Sequence, residues 1–144
     1  MGKSISASLV DAALPEKIVP FPTRLLITFQ GGRGALTLAP DGNQCIVRLI
    51  LRHRKHVITA TLPRAEIVAF FSSRTSPISR TLPGCCWTKE DDLLTIKNEE
   101  AGFVLRVTEQ LERDVEQFIA DPFSLYQQRL PGRFPSGELI TKLR

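Results

Sequence analysis

The sequence predicts one α+β domain of mostly antiparallel strands, about seven to eight of them, with a mid-chain helix and a C-terminal amphipathic helix. Three observations carry this. Gln44 to Thr61 alternates apolar and polar residues on either side of a basic turn. A second set of short strand-like runs lies between Cys85 and Val107. Leu111, Val115, Phe118 and Ile119 then fall at i, i+4, i+7 and i+8, the stripe of an amphipathic helix.

The chain has 144 residues, enough for one domain and few for two. Apolar residues make up 42% and charged residues 24%, the balance of a chain that can bury a core. No apolar run approaches the roughly 20 residues that span a bilayer. Residues 1–23 read as an extended arm, because Pro15, Pro20 and Pro22 break regular hydrogen bonding. Residues 24–130 form the domain. Residues 131–144, with Pro131, Gly132, Pro135 and Gly137, read as a loose tail.

Within the domain, Leu25 to Phe29 is an apolar strand and Gly31 to Gly34 a turn. Ala35 to Leu38 alternates, and Pro40 to Asn43 turns again on its Asp-Gly pair. In Gln44 to Arg52, Cys45, Val47, Leu49 and Leu51 share a wholly apolar face, while Ile46, Arg48, Ile50 and Arg52 share the other. His56 to Thr61 returns as its hairpin partner. Pro63 opens a helix whose stripe is Ile67, Val68, Phe70 and Phe71. Ser72 to Pro83 reads as a loop, Lys89 to Asp92 as a polar hairpin turn, and Thr108 as the N-cap of the C-terminal helix. Asp121-Pro122 ends that helix and caps a short second one through Arg129.

Strands, helix, strands, helix is the order of two known architectures. One is the whirly/PC4-like arrangement, in which sheets are each followed by a helix and which binds single-stranded nucleic acid. The other is the pleckstrin-homology-like (PH-like) barrel, in which residues 63–74 would be an insert. The resemblance lies in element order alone. The whirly form requires a further strand near Ile78. A faint internal rhyme, Val68 with Val115 and Phe71 with Phe118 when Thr61 is set on Thr108, points the same way.

Function is less legible. Net charge is +4, unevenly spread: residues 1–80 hold 11 Lys/Arg against 4 Asp/Glu, and residues 81–144 hold 8 against 11. The basic half implies an anionic partner. Its densest run is Arg48, Arg52, His53, Arg54, Lys55 and His56, continued by Arg64 and by Arg24 and Arg33. Cations on a sheet and hairpin can track a phosphate backbone, and exposed aromatic rings can stack bases. The leading expectation is therefore a non-enzymatic module for single-stranded DNA or RNA. In it Arg48, Arg52, Arg54, Lys55 and Arg64 contact phosphates, and Trp87 or Phe29 stacks on bases. The alternative is a protein-interaction or assembly module of the PH-like barrel type with no nucleic-acid role, joined through a sheet edge or helix face to a protein partner or to its own copy.

The Gly31 to Gly34 turn leads into a strand, so it lacks the helix N-terminus of a phosphate-binding loop. His53 and His56 have no metal-ligand spacing with Cys45, Cys85 or Cys86, and no metal or cofactor is expected. Nothing joins a nucleophile, a base and an orienting group, so the reading leans away from an enzyme. Three cysteines, two of them adjacent, make a poor disulfide framework and read as reduced thiols of a cytoplasmic, nucleoid or nuclear protein that is not secreted. Met1-Gly2-x-x-x-Ser6 fits the pattern for myristoylation of Gly2, a third route to a partner through a membrane surface.

Overall fold

A computed structural model of the chain describes residues 12–52, 55–73 and 75–130. The predicted tail, Gly2, His53 and Arg54 lie outside the described residues. Nine strands form two antiparallel sheets, more strands than the seven or eight expected. The first sheet has the order β1-β2-β3-β4-β5, with β1 Lys17–Pro20, β2 Leu25–Phe29, β3 Gly34–Asp41, β4 Gln44–Leu51 and β5 His56–Pro63. Helix α1, Arg64–Phe70, follows it. The second sheet has the order β6-β7-β8-β9, with β6 Thr75–Leu82, β7 Cys85–Asp91, β8 Leu93–Lys97 and β9 Gly102–Arg106. Helices α2, Glu109–Ala120, and α3, Pro122–Gln128, are the last elements of the described residues.

Two segments depart from expectation. Residues 75–82 form strand β6 where a loop was predicted, so a strand does cover Ile78. Ser, Thr and Pro content hid it, and its pairing with β7 slips between Thr75 and Ile78, around Pro77. The arm, despite its prolines, also contributes a strand. Lys17 to Pro20 pairs with Thr28 to Leu25, and Pro20 ends the strand where its missing N–H is harmless. Before it, Ala13 bridges the edge of β9, donating to the Val104 carbonyl and accepting from the Arg106 amide, both at 2.8 Å. Eight residues of arm, Ala13 to Pro20, thus stitch the two sheets together.

Each sheet has one apolar face, and the two faces share a single core with the helix stripes. Phe29 of β2 stacks on Phe103 of β9, with centroids 4.4 Å apart. Trp87 of β7 meets Phe70 and Phe71 edge-on, at 5.4 and 6.4 Å, and so fastens α1 to the second sheet. Helix α2 begins as predicted: Thr108 Oγ1 accepts from the Leu111 amide at 3.1 Å. Glu109 and Glu112 in its first turn suit the helix dipole. Asp121 caps α3 in the same way, accepting from the Ser124 amide at 3.2 Å.

Gly34 is required by the aromatic stack. It pairs with Phe29 across β2 and β3, and a Cβ there would overlap the Phe29 ring. Gly34→Ala is expected to cost about 1–3 kcal/mol, the range for overpacking a well-filled core. Urea unfolding of the two proteins measures it, and an unchanged midpoint would mean that the ring has free room to move.

Candidate nucleic-acid interface

The strand registers sort every side chain of the first sheet to one face or the other. Leu25, Ile27, Phe29, Leu36, Leu38, Cys45, Val47, Leu49, Leu51, Ile58, Ala60 and Leu62 point inward and are buried. The outer face falls into rows that cross the strands. One row is Lys17, Thr28, Ala35, Ile50 and Val57; the next is Val19, Leu26, Thr37, Arg48 and Thr59. Beyond them lie Ala39, Ile46 and Thr61, then Asp41, Gln44 and Pro63. The surface is therefore aliphatic and threonine-rich. Lys17, Arg48 and Asp41 are its charges, with the carboxylate at the far end.

The end nearest the Lys17 row carries more cations. Arg33 and Arg52 are joined there by a backbone hydrogen bond of 2.8 Å, and Lys55 follows in the same hairpin tip. Arg33, Arg48, Arg52 and Lys55 are all exposed, and among the described residues none makes an ion pair with a carboxylate. The structure thus gathers Arg48, Arg52 and Lys55 at one face and end. It adds Lys17, which the sequence reading missed because the flanking prolines argued against a strand.

Arg64 is elsewhere. It is half-buried, and its Nη1 donates to the Ile119 carbonyl at 3.2 Å, in the last turn of α2. A guanidinium there satisfies a carbonyl with no partner within the helix and meets the negative end of its dipole. Arg64 thus caps α2 and lies apart from the cations gathered at the other end of the sheet. The two aromatic assignments also need correction. Phe29 is 0% exposed and Trp87 is 1% exposed, so neither ring has a face to offer a base. Both lie on inward positions of their strands and hold the core together. The His56 Nε2 lies 3.0 Å from the Asn98 side-chain nitrogen and its Nδ1 3.9 Å from Glu100.

A polar cluster sits at the opposite side, beside the N-terminus of α2. Lys89, expected in a solvated turn, occupies an inward position of β7 and is 0% exposed; its Nζ donates to the Asp91 carbonyl. Burial holds its amine below the usual lysine range, while the charges of Asp92, Glu112 and Asp91 pull the other way. Glu112 accepts from the hydroxyls of Ser73 at 2.6 Å and Ser72 at 3.1 Å, and the Ser73 bond above all lowers its pKa. An open cleft of about 680 Å³ lies alongside, where Arg106 pairs with Asp92 at 2.7 Å. Lys89 does not line it. Burial also pushes the Cys45 thiol up to about 11 and raises Cys85, which makes both poor nucleophiles at neutral pH. Among the described residues no cluster of His, Cys, Asp and Glu could hold a metal ion, and no helix is long and apolar enough to cross a membrane. No protein family, curated protein or solved structure matches the chain.

Lys89 gives a pH test of this geometry. The unfolded chain keeps that proton up to a pKa near 10.5, whereas the folded protein releases it lower. Between the two values the unfolded state binds more protons, so the free energy of unfolding rises with pH. Relative to Lys89→Met, the parent protein is expected to gain urea resistance as the pH rises toward 10.5. Parallel curves would place the amine in solvent.

Proposed function

We propose that this chain is a non-enzymatic nucleic-acid-binding module that takes single-stranded DNA or RNA along the outer face of its five-stranded sheet. One observation carries the reading: exposed cations (Lys17, Arg33, Arg48, Arg52 and Lys55), with no ion pair among the described residues, gather over one face and end of that sheet; Asp41, the carboxylate of the outer face, lies at the other end, and Glu16, beside the cations, accepts from the Gly31 amide at 2.8 and 2.9 Å. Phosphates would follow the cations. Bases would lie on the aliphatic and threonine floor, with no aromatic stacking. The expected ligand is single-stranded because an open, flat face offers no ridge or protruding helix to enter a duplex groove.

Element order supports the same reading. Four strands and a helix occur twice in succession, β2 to α1 and β6 to α2. That is the order of whirly-type proteins, and β6 is the strand their arrangement needs. A seven-stranded PH-like barrel would leave β1 and β6 surplus and treat α1 as an insert.

Binding without stacking rests on counterion release, so affinity is expected to fall steeply with salt. Contact by these five cations gives a slope of log K against log salt of about −3.5. Replacing Arg48 and Arg52 together with Ala reduces its magnitude by about 1.4. Arg64→Ala leaves the slope alone but lowers thermal stability by about 0.3–1 kcal/mol, because it uncaps α2. Fluorescence anisotropy with labelled oligonucleotides over a salt series reads the slopes, and thermal unfolding reads the stability of Arg64→Ala. Affinity weaker than roughly 10⁻⁴ M at low salt would end the proposal.

A further inference from the structure

Antiparallel sheets leave edges, and proteins blunt them against unwanted pairing. Three of the four edges here are blunted. β1 has only four residues and carries Lys17 and Pro20. β6 contains Pro77, a slip in register, and Arg80, which pairs with Glu66 at 2.7 Å. β9 is covered by Ala13. The fourth, β5, has a proline only at its last position, Pro63, and none of the other devices. Its eight residues, His-Val-Ile-Thr-Ala-Thr-Leu-Pro, include no Asp, Glu, Lys or Arg, and its pairing with β4 is unbroken from Leu51↔His56 to Gln44↔Pro63.

Two backbone bonds fix which groups of β5 are free. Arg64 N donates to Asn43 O at 3.0 Å, and Arg52 N to Arg33 O at 2.8 Å. With the registers of β3, β4 and β5, these set the alternation of the ladder. Ile58, Ala60 and Leu62 bond toward β4. Val57, Thr59 and Thr61 turn their N–H and C=O to the open side, where among the described residues they meet no backbone partner. All three side chains are exposed, Val57 at 48%. Pro63 ends the free row, having no N–H, and His56 is held at the other end by Asn98.

The geometry points to β5 as a self-association edge: a second copy of this chain pairs antiparallel to it about a two-fold axis at Thr59. The free groups are symmetric about that residue. Thr59 faces Thr59 of the other copy, and Val57 faces Thr61 in both directions, so every open donor finds an acceptor, about six backbone hydrogen bonds in all. No like charges meet across the axis. Threonine opposite threonine and valine opposite threonine are favourable cross-strand neighbours. At each end of the new ladder Lys55 of one copy comes opposite Pro63 of the other, beside Arg64, whose guanidinium is drawn away to the Ile119 carbonyl. The two Arg48 side chains sit one strand further out on each side, about 14 Å apart. That exceeds the roughly 8 Å Debye length at physiological salt. The outer faces of the two copies then form one continuous sheet surface. This inference stands independently of what that surface binds.

The test is the mass of the nuclease-treated, full-length protein by light scattering across a concentration series. A shift from monomer to dimer is expected. Thr59→Lys places like charges opposite each other on the axis and should weaken the dimer by at least about tenfold. Thr37→Lys, on the same face but on an interior strand, should leave it unchanged. A second variant guards against misfolding. In a Cys86→Ser background, which removes the one partly exposed free thiol among the described residues, Thr59→Cys should form a disulfide-linked dimer on mild oxidation. Directly opposed, hydrogen-bonded Cα atoms lie about 5.5 Å apart, within bridging range. Thr37→Cys should not cross-link. A monomer at every concentration up to about 1 mM overturns the inference. So does a dimer that tolerates Thr59→Lys, or one that Thr37→Lys disrupts equally.

Discussion

The stack of Phe29 on Phe103 is where the two sheets meet, and the rest of the structure follows from it. A sheet with one apolar face cannot stand alone in water; burying aromatic area of this size is worth a few kcal/mol per ring. The first sheet finds its cover in the second. The stack explains Gly34, whose missing side chain makes room for the ring. Trp87 extends the same seam by gripping Phe70 and Phe71, which anchors α1 at the junction between the halves. The aromatic residues that looked most useful for ligand stacking are thus consumed by the fold.

What remains for a ligand is the outside. An alternating strand buries one face completely and leaves the other to be set by different pressures. On the first sheet that outer face is unusually plain, with aliphatic and threonine side chains and a cationic end. Several acidic residues of the second half are engaged locally: Asp92 with Arg106, Asp114 with Arg129, Glu112 with two serines. Glu100, by contrast, lies near His56 at the hairpin end of the first sheet. Charge asymmetry along the chain becomes in part charge asymmetry in space.

The same economy appears at the edges. Ala13 and the short β1 close two of them with one length of chain, and β6 protects itself with a proline and a salt bridge. β5 lies between its hairpin and α1 with an uninterrupted register and free backbone groups. Its lack of protection is conspicuous only beside the other three.

Periodicity was enough to identify β2 to β5, β7 to β9 and the helices. A strand with one buried face must alternate, and a helix with one buried stripe must repeat at 3.6 residues. Thr108 and Asp121 were legible as caps for the same local reason. Periodicity could not reveal β6 or β1, because edge strands need little apolar content and tolerate proline. It placed Arg48 on an outward position, yet it could not separate Arg64, drawn into a cap on a helix 55 residues away, from Arg52 and Lys55, which stay free. Nor could it tell a buried Trp87 or Lys89 from an exposed one. Local chemistry is written in neighbouring residues, and the sequence alone determines it. Which side chains meet across the chain depends on how two sheets turn toward each other, and only the tertiary structure decides that.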